Sequence, residues 1–231
     1  MVAHKSIFIK GAILMAGFLI VLFLMFMPMF DGHHSINMMD NLYNSISKGS
    51  AYYIPGLVKD SEKYNKEITL DIKLKSKEMA EEAALLLTTA GINVEQNEDS
   101  LSITGNLDKI LQASLADSEM MFANDGKKIK EKYGYDEAYD EKRVLFNWWN
   151  TLKNTNKALT KQEHFDEAKF VGNVMTRAVE CSYNYYKVQA EHIKDKVGIV
   201  IFSLVFYVIY TVWFGFAIMY LFEGWGMKLS H

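Results

Sequence analysis

Apolar residues run without a charge from Gly11 to Phe30 and again from Val197 to Phe222, and between these runs the hydrophobic positions become periodic. At ~1.5 Å per helical residue the first run reaches ~30 Å and the second ~39 Å, each enough to cross the hydrocarbon core of a bilayer. The pattern predicts membrane helices at 11–30 and 197–222, with short tails at 1–10 and 223–231. Trp213, Tyr220 and Trp225 are placed to anchor the second span at an interface. The first run follows His4, Lys5 and Lys10, but it is about twice as long as a signal-peptide core. No small-x-small cleavage pattern follows it, so it reads as an uncleaved signal anchor.

The segment between the spans is read in three parts. In 31–67, Ile36, Met39, Leu42, Tyr43 and Ile46 recur at helical spacing before Gly49, and Pro55-Gly56 marks a turn, giving a juxtamembrane helix and connector. In 68–133, Ile68, Leu70, Ile72 and Leu74 alternate with polar residues as a half-buried strand. Ser76 then caps a helix bearing Met79, Ala83, Leu86, Leu87 and Ala90, ended by Gly91. Ile92 and Val94 face Leu101 and Ile103 across a turn at Asn97-Glu98-Asp99, and a further helix starts at Gly105-Asn106. Strand–helix–hairpin–helix is the order of half a ferredoxin-like unit, a small α+β module.

In 134–196 the period is helical throughout. Leu145, Trp148, Leu152, Thr155 and Leu159 form one stripe; Val171, Val174, Ala178, Cys181, Tyr185, Val188 and His192 form a second. Spacings of three and four predict an antiparallel helical hairpin, a stalk with a coiled-coil-like seam. Thr160 and Glu163 are spaced as a capping box opening the second helix. No proline interrupts Glu163 to Phe222, so this helix is expected to continue unbroken into the membrane as a rod of ~90 Å. The fold class is therefore an α+β membrane protein with two spans around one folded body.

Charge sharpens this picture. The segment 31–196 holds 22 of the 25 Lys and Arg and 27 of the 28 Asp and Glu, and Arg143 and Arg177 are the only arginines. A mildly acidic body without a basic patch gives no footprint for nucleic acid. Lys5 and Lys10 favour a cytoplasmic N-terminus and a periplasmic or extracellular loop. Arg177, Lys187, Lys194 and Lys196 before the second span pull the other way, but the first helix usually dominates. Cys181 is the only cysteine, so no internal disulfide forms, and it reads as a small core hydrophobe on the seam. Glu81-Glu82 and Glu137 to Glu141 alternate with lysines as solvated helix faces.

Candidate chemistry is sparse. His33, His34 and His192 fall beside the two spans with Asp31, Glu191 and Asp195 near in sequence, a donor set for a divalent metal or for haem from a partner. The same residues also fit polar groups kept wet at a membrane boundary. Ser203, Tyr207, Tyr210, Thr211 and Phe214 form a polar-aromatic stripe, expected to be a partner-helix interface because hydroxyls in lipid seek partners. Ala12 and Ala16 would let the first span approach it, unless another subunit does. Of Trp148-Trp149, one ring fits the seam and the other points elsewhere, onto the α+β module or into an interface. No phosphate loop, dinucleotide fingerprint, nucleophile elbow or zinc-protease motif is present, and neither catalysis nor a cofactor is expected. The expected role is a non-catalytic accessory or scaffolding subunit whose partners are membrane lipid and other membrane-protein subunits. The alternatives are a sensor module signalling through a partner and a metal- or haem-handling accessory protein.

Overall fold

The computed structural model describes residues 2–28 and 35–227. It is mostly helical with one small antiparallel sheet. In chain order the elements are α1 (Lys5–Met25), α2 (Ser35–Ser50), α3 (Ile54–Ser61), β1 (Glu67–Lys73), α4 (Lys77–Thr89), β2 (Asn93–Asn97), β3 (Ser100–Asn106), α5 (Leu107–Phe122), α6 (Gly126–Tyr133), α7 (Lys142–Lys161), α8 (Phe165–Val174), a π-helical segment (Met175–Glu180), α9 (Cys181–Tyr185) and α10 (Ile193–Trp225). They divide into two compact units, Met1–Ile46 with Ala190–His231, and Ser47–Gln189.

The core of the Ser47–Gln189 unit grows from the alternation read in the sequence. β1 buries Ile68, Leu70 and Ile72 on one face and exposes the residues between them. The strand order is β1-β3-β2, with Leu70 opposite Ile103 and Ile72 opposite Leu101. β2 is thus separated from β1 by β3, a split β-α-β connection. Ala80, Ala83, Leu86 and Leu87 of α4 and Leu107, Ile110, Leu111 and Leu115 of α5 supply the facing layer. Local chemistry sets the helix starts: Ser76 Oγ accepts from the Met79 amide at 3.2 Å and Asn106 Oδ1 from the Asp108 amide at 2.9 Å. The predicted strand–helix–hairpin–helix module is present.

α7 and α8 pack on each other as the hairpin pattern required, and Leu145, Trp148, Leu152, Thr155 and Leu159 are all buried. Three expectations in this part need correction. The capping box is absent: α7 continues through Thr160, whose hydroxyl donates to the Asn156 carbonyl, while Glu163 adopts a left-handed backbone at φ 63°. The second seam slips. Its buried positions run Val171, Val174, Ala178 and then Val179, Ser182 and Tyr186, whereas Cys181 and Tyr185 are only half-buried. The π-helical turn inserts the extra residue that moves the stripe by one.

The continuous rod does not form. α9 stops at Tyr185, Tyr186 is extended (ψ 135°), Lys187 is left-handed (φ 66°), and a new helix starts only at Ile193. No proline is needed for this break, because side chains described below take the carbonyls that would have continued the helix.

In the other unit, α1 and α10 are each long and apolar enough to cross a membrane, and only Gly11 of α1 and Ala217 and Gly224 of α10 are fully buried. α1 begins at Lys5, so Lys10 lies within the helix rather than before it.

Candidate functional site

The contact between α1 and α10 is built from glycine and aromatic residues. A Cβ on Gly11 would stand 2.7 Å from the Leu221 amide nitrogen, and one on Gly224 would stand 2.6 Å from the Phe8 backbone. Absence of a side chain at these two places lets the backbones approach, as small residues do between helices in lipid. Farther along, Phe18 stacks on Tyr210 with centroids 4.3 Å apart and leans on Phe214 at 4.7 Å. Trp213 Nε1 donates to the Leu14 carbonyl at 3.0 Å and the Tyr210 hydroxyl to the Phe18 carbonyl at 3.3 Å. Ala12 and Ala16, expected to permit the approach, face outward.

The five-residue stripe predicted on α10 is therefore divided. Tyr210 and Phe214 meet α1. Ser203 shares a 2.6 Å hydrogen bond with the Tyr43 hydroxyl of α2. Tyr207 is 66% exposed, and among the described residues its hydroxyl has no partner. Thr211 is exposed on the same flank, its hydroxyl donating to the Tyr207 carbonyl at 2.8 Å.

Within the Ser47–Gln189 unit, the ammonium of Lys48 is a second focus. The residue is 2% exposed, and Nζ donates to the carbonyls of Val188 (2.7 Å) and Tyr185 (3.0 Å) and to Asn124 Oδ1 (2.9 Å). Asn124, left-handed at φ 64°, also accepts from the Lys187 amide and donates to the Val188 carbonyl. Burial pushes the Lys48 ammonium below the usual lysine range. This clamp ends α9 and joins the first residues of the unit to its last. Cys181 lies nearby with Sγ 3.5 Å from the Ala51 carbonyl, and burial pushes its thiol up, opposite to what a nucleophile requires.

Three carboxylates gather donors in the same unit. Asp117, fully buried, accepts from Lys132 Nζ at 2.6 Å, Trp148 Nε1 at 2.6 Å and the Tyr133 hydroxyl, bracing α5, α6 and α7. Glu141 accepts from Tyr186 and pairs with Lys130 and Lys187, each at 3.2 Å. Burial pushes the Glu141 carboxyl up, but these hydrogen bonds outweigh it and hold the group at about 2. Gly126 makes room for this contact, since a Cβ there would lie 2.2 Å from the Tyr186 hydroxyl. Glu82 joins Arg143 at 2.8 Å and Asn147 at 2.6 Å. Glu82 and Glu141 are thus not the solvated acids their alternation with lysine predicted.

Of the predicted metal ligands, His192 is an exposed residue just before α10, while His33 and His34 lie outside the described residues. No cluster of three metal-binding side chains occurs among the described residues. Trp148 fills the seam; Trp149 is partly buried and lines a surface groove with Leu145, Phe146, Val179, Glu180 and Tyr183. Lys48, Asp117 and Glu141 were missed in the sequence. Asp117 alone carried a signal: it sits on the apolar stripe of α5 between Ser114 and Met121, where an acid must be paired. Comparison with protein-family models, curated proteins and solved structures returns no match.

Proposed function

We propose that the chain is a two-pass membrane protein in which α1 and α10 cross the bilayer as a packed pair. The Ser47–Gln189 unit then lies in the periplasmic or extracellular space. In this reading the protein is a non-catalytic accessory subunit of a membrane complex. The observation that carries it is the Tyr207–Thr211 flank of α10. Tyr207 lies ten residues beyond Val197, about 15 Å into the span, and presents an unpartnered phenol outward. A hydroxyl left unpaired in hydrocarbon costs on the order of 1–3 kcal/mol, which a helix of another subunit offering an acceptor recovers. The braces around Asp117, Glu141 and Lys48 support a structural role, since their ionisable groups are committed to holding helices together.

Carbonate washing of membranes should leave the full-length chain in the pellet, and affinity purification from native membranes should bring down further membrane subunits. Tyr207→Phe should lower that recovery about threefold to tenfold. A wild-type chain that purifies as a lone monomer, or a Tyr207→Phe chain that keeps its subunits in full, overturns the proposal.

A sensor signalling through a partner is the second reading, favoured by the Lys48 clamp. Because both connectors enter the unit at one point, a displacement there moves both together. The metal- or haem-handling alternative rests on His33, His34 and His192, and a triple alanine variant with unchanged metal and haem content removes it.

A further inference from the structure

Along α2 the residues are sorted by polarity. At ~3.6 residues per turn, Ile36, Met38, Met39, Leu42, Tyr43 and Ile46 fall in one half of the helix, and Asn37, Asp40, Asn41, Asn44 and Ser45 in the other. An apolar half-cylinder of this kind needs a cover. Within it Leu42 alone is fully buried, while Ile36, Met38 and Tyr43 are exposed. Among the described residues no other element packs along the length of α2.

Two hydrogen bonds fix the level at which this face sits. As far as Ile46, α2 belongs to the same unit as α1 and α10. The Ser45 carbonyl accepts from the Glu191 amide at 3.1 Å, just ahead of α10, and the Tyr43 hydroxyl shares a 2.6 Å hydrogen bond with Ser203 Oγ. Ser203 lies six residues beyond Val197, about 9 Å into the uncharged run. The helix pair marks the same level independently. Gly11 meets Leu221, and Phe18 meets Tyr210 and Phe214, so the antiparallel register brings Met25, where α1 ends, close to the level of Ser203. α2 is thus fastened where the paired apolar helices end.

We infer that α2 is an interfacial helix whose uncovered apolar residues, Ile36, Met38 and Tyr43, lie in the lipid of the bilayer that α1 and α10 cross. This placement rests on α1 and α10 being spans. Interfacial helices sink their apolar face about 5–10 Å into the boundary between headgroups and acyl chains, which matches the depth set by Ser203. The lipid is zwitterionic or uncharged: Asp40 is the one charged residue from Ser35 to Ile46, so no cation there selects anionic headgroups.

The test is nitroxide scanning of the full chain in phosphatidylcholine vesicles, with Cys181→Ser as the background. Labels on Ile36→Cys and Met38→Cys should favour oxygen over a water-soluble nickel chelate, and labels on Asn37→Cys and Asn41→Cys the reverse, the ratio differing by about threefold or more. Labels on Ile13→Cys and Val208→Cys, at exposed positions of α1 and α10, report the spans separately. Oxygen access at Ile13 and Val208 with chelate access at Ile36 and Met38 overturns the interfacial helix and leaves the spans standing. Shielding of Ile36 and Met38 from both reagents overturns it equally, because a protein partner then covers the face. A pattern that forms only when anionic lipid is added does so too. Chelate access at Ile13 and Val208 overturns both readings. The wild-type chain, photolysed in vesicles carrying an acyl-chain diazirine, should bear lipid adducts between Ile36 and Tyr43, a check that needs no substitution. Adducts confined to α1 and α10 overturn the placement of α2.

Discussion

The α1–α10 pair is held by glycines, stacked rings and hydroxyl or indole donors aimed at backbone carbonyls, while the Ser47–Gln189 unit is braced by ionised side chains that each collect several hydrogen-bond partners. On the proposed reading of α1 and α10 as membrane spans, each solution suits its solvent. In hydrocarbon the apolar effect gives helices no reason to associate, so close backbone approach and van der Waals contact must supply it. In water apolar burial drives collapse, and paired polar groups at the interior select one arrangement among many.

Removing a brace should do more harm than disturbing the helix contact. Asp117→Ala leaves Lys132, Tyr133 and Trp148 without their shared acceptor and should cost about 3–5 kcal/mol, read as a lowered denaturation midpoint for the unit. An unchanged midpoint would erase the contrast between the two regions. Gly11→Leu should separate α1 from α10 at a cost of about 1–3 kcal/mol. The check is disulfide cross-linking between cysteines introduced at Phe18 and Tyr210, which should fall in yield. Lys48→Met should cost about 1–2 kcal/mol, less than the loss at Asp117 because the clamp's carbonyl and amide acceptors each keep another donor. Its signature is faster amide exchange at Lys187 and Val188 without global unfolding.

The last effect is conditional on pH. Glu141 is held at about 2 in the folded protein against an ordinary value near 4.5. Its depressed value means that its contribution is fully present above 4.5 and is lost as the pH falls toward 2. Glu141→Gln should therefore lower stability at neutral pH and flatten the acid limb in that window. An acid profile identical to wild type would show that the Tyr186, Lys130 and Lys187 contacts are not formed in solution.

What could be read from the chain follows the range of the interactions. The β1–α4–β2–β3–α5 module was legible because alternation, the Ser76 and Asn106 caps and the Gly91 stop act within a few residues. The braces were not, because Lys48 finds its carbonyls 137 and 140 residues away, and Asp117 finds Trp148 31 residues away. Glu82 and Glu141 look like solvated acids until folding brings Arg143 and Tyr186 to them. The seam failed for a different reason: a π turn changes the period without any local marker, so a correct helical reading drifted by one residue after Ala178. On α10 the five-residue stripe was assigned to a single partner helix, the first span or another subunit, whereas Tyr210 and Phe214 meet α1, Ser203 meets α2, and Tyr207 and Thr211 form an uncovered flank.

Because one lysine near the start of Ser47–Gln189 is bonded to a carbonyl near its end, the whole body begins and finishes at a single doorway. Segments with adjoining ends behave as inserted cassettes. Excising 47–189 and bridging the gap with a few flexible residues should leave α1 and α10 able to find each other, and the excised body, its ends tied, should tolerate circular permutation.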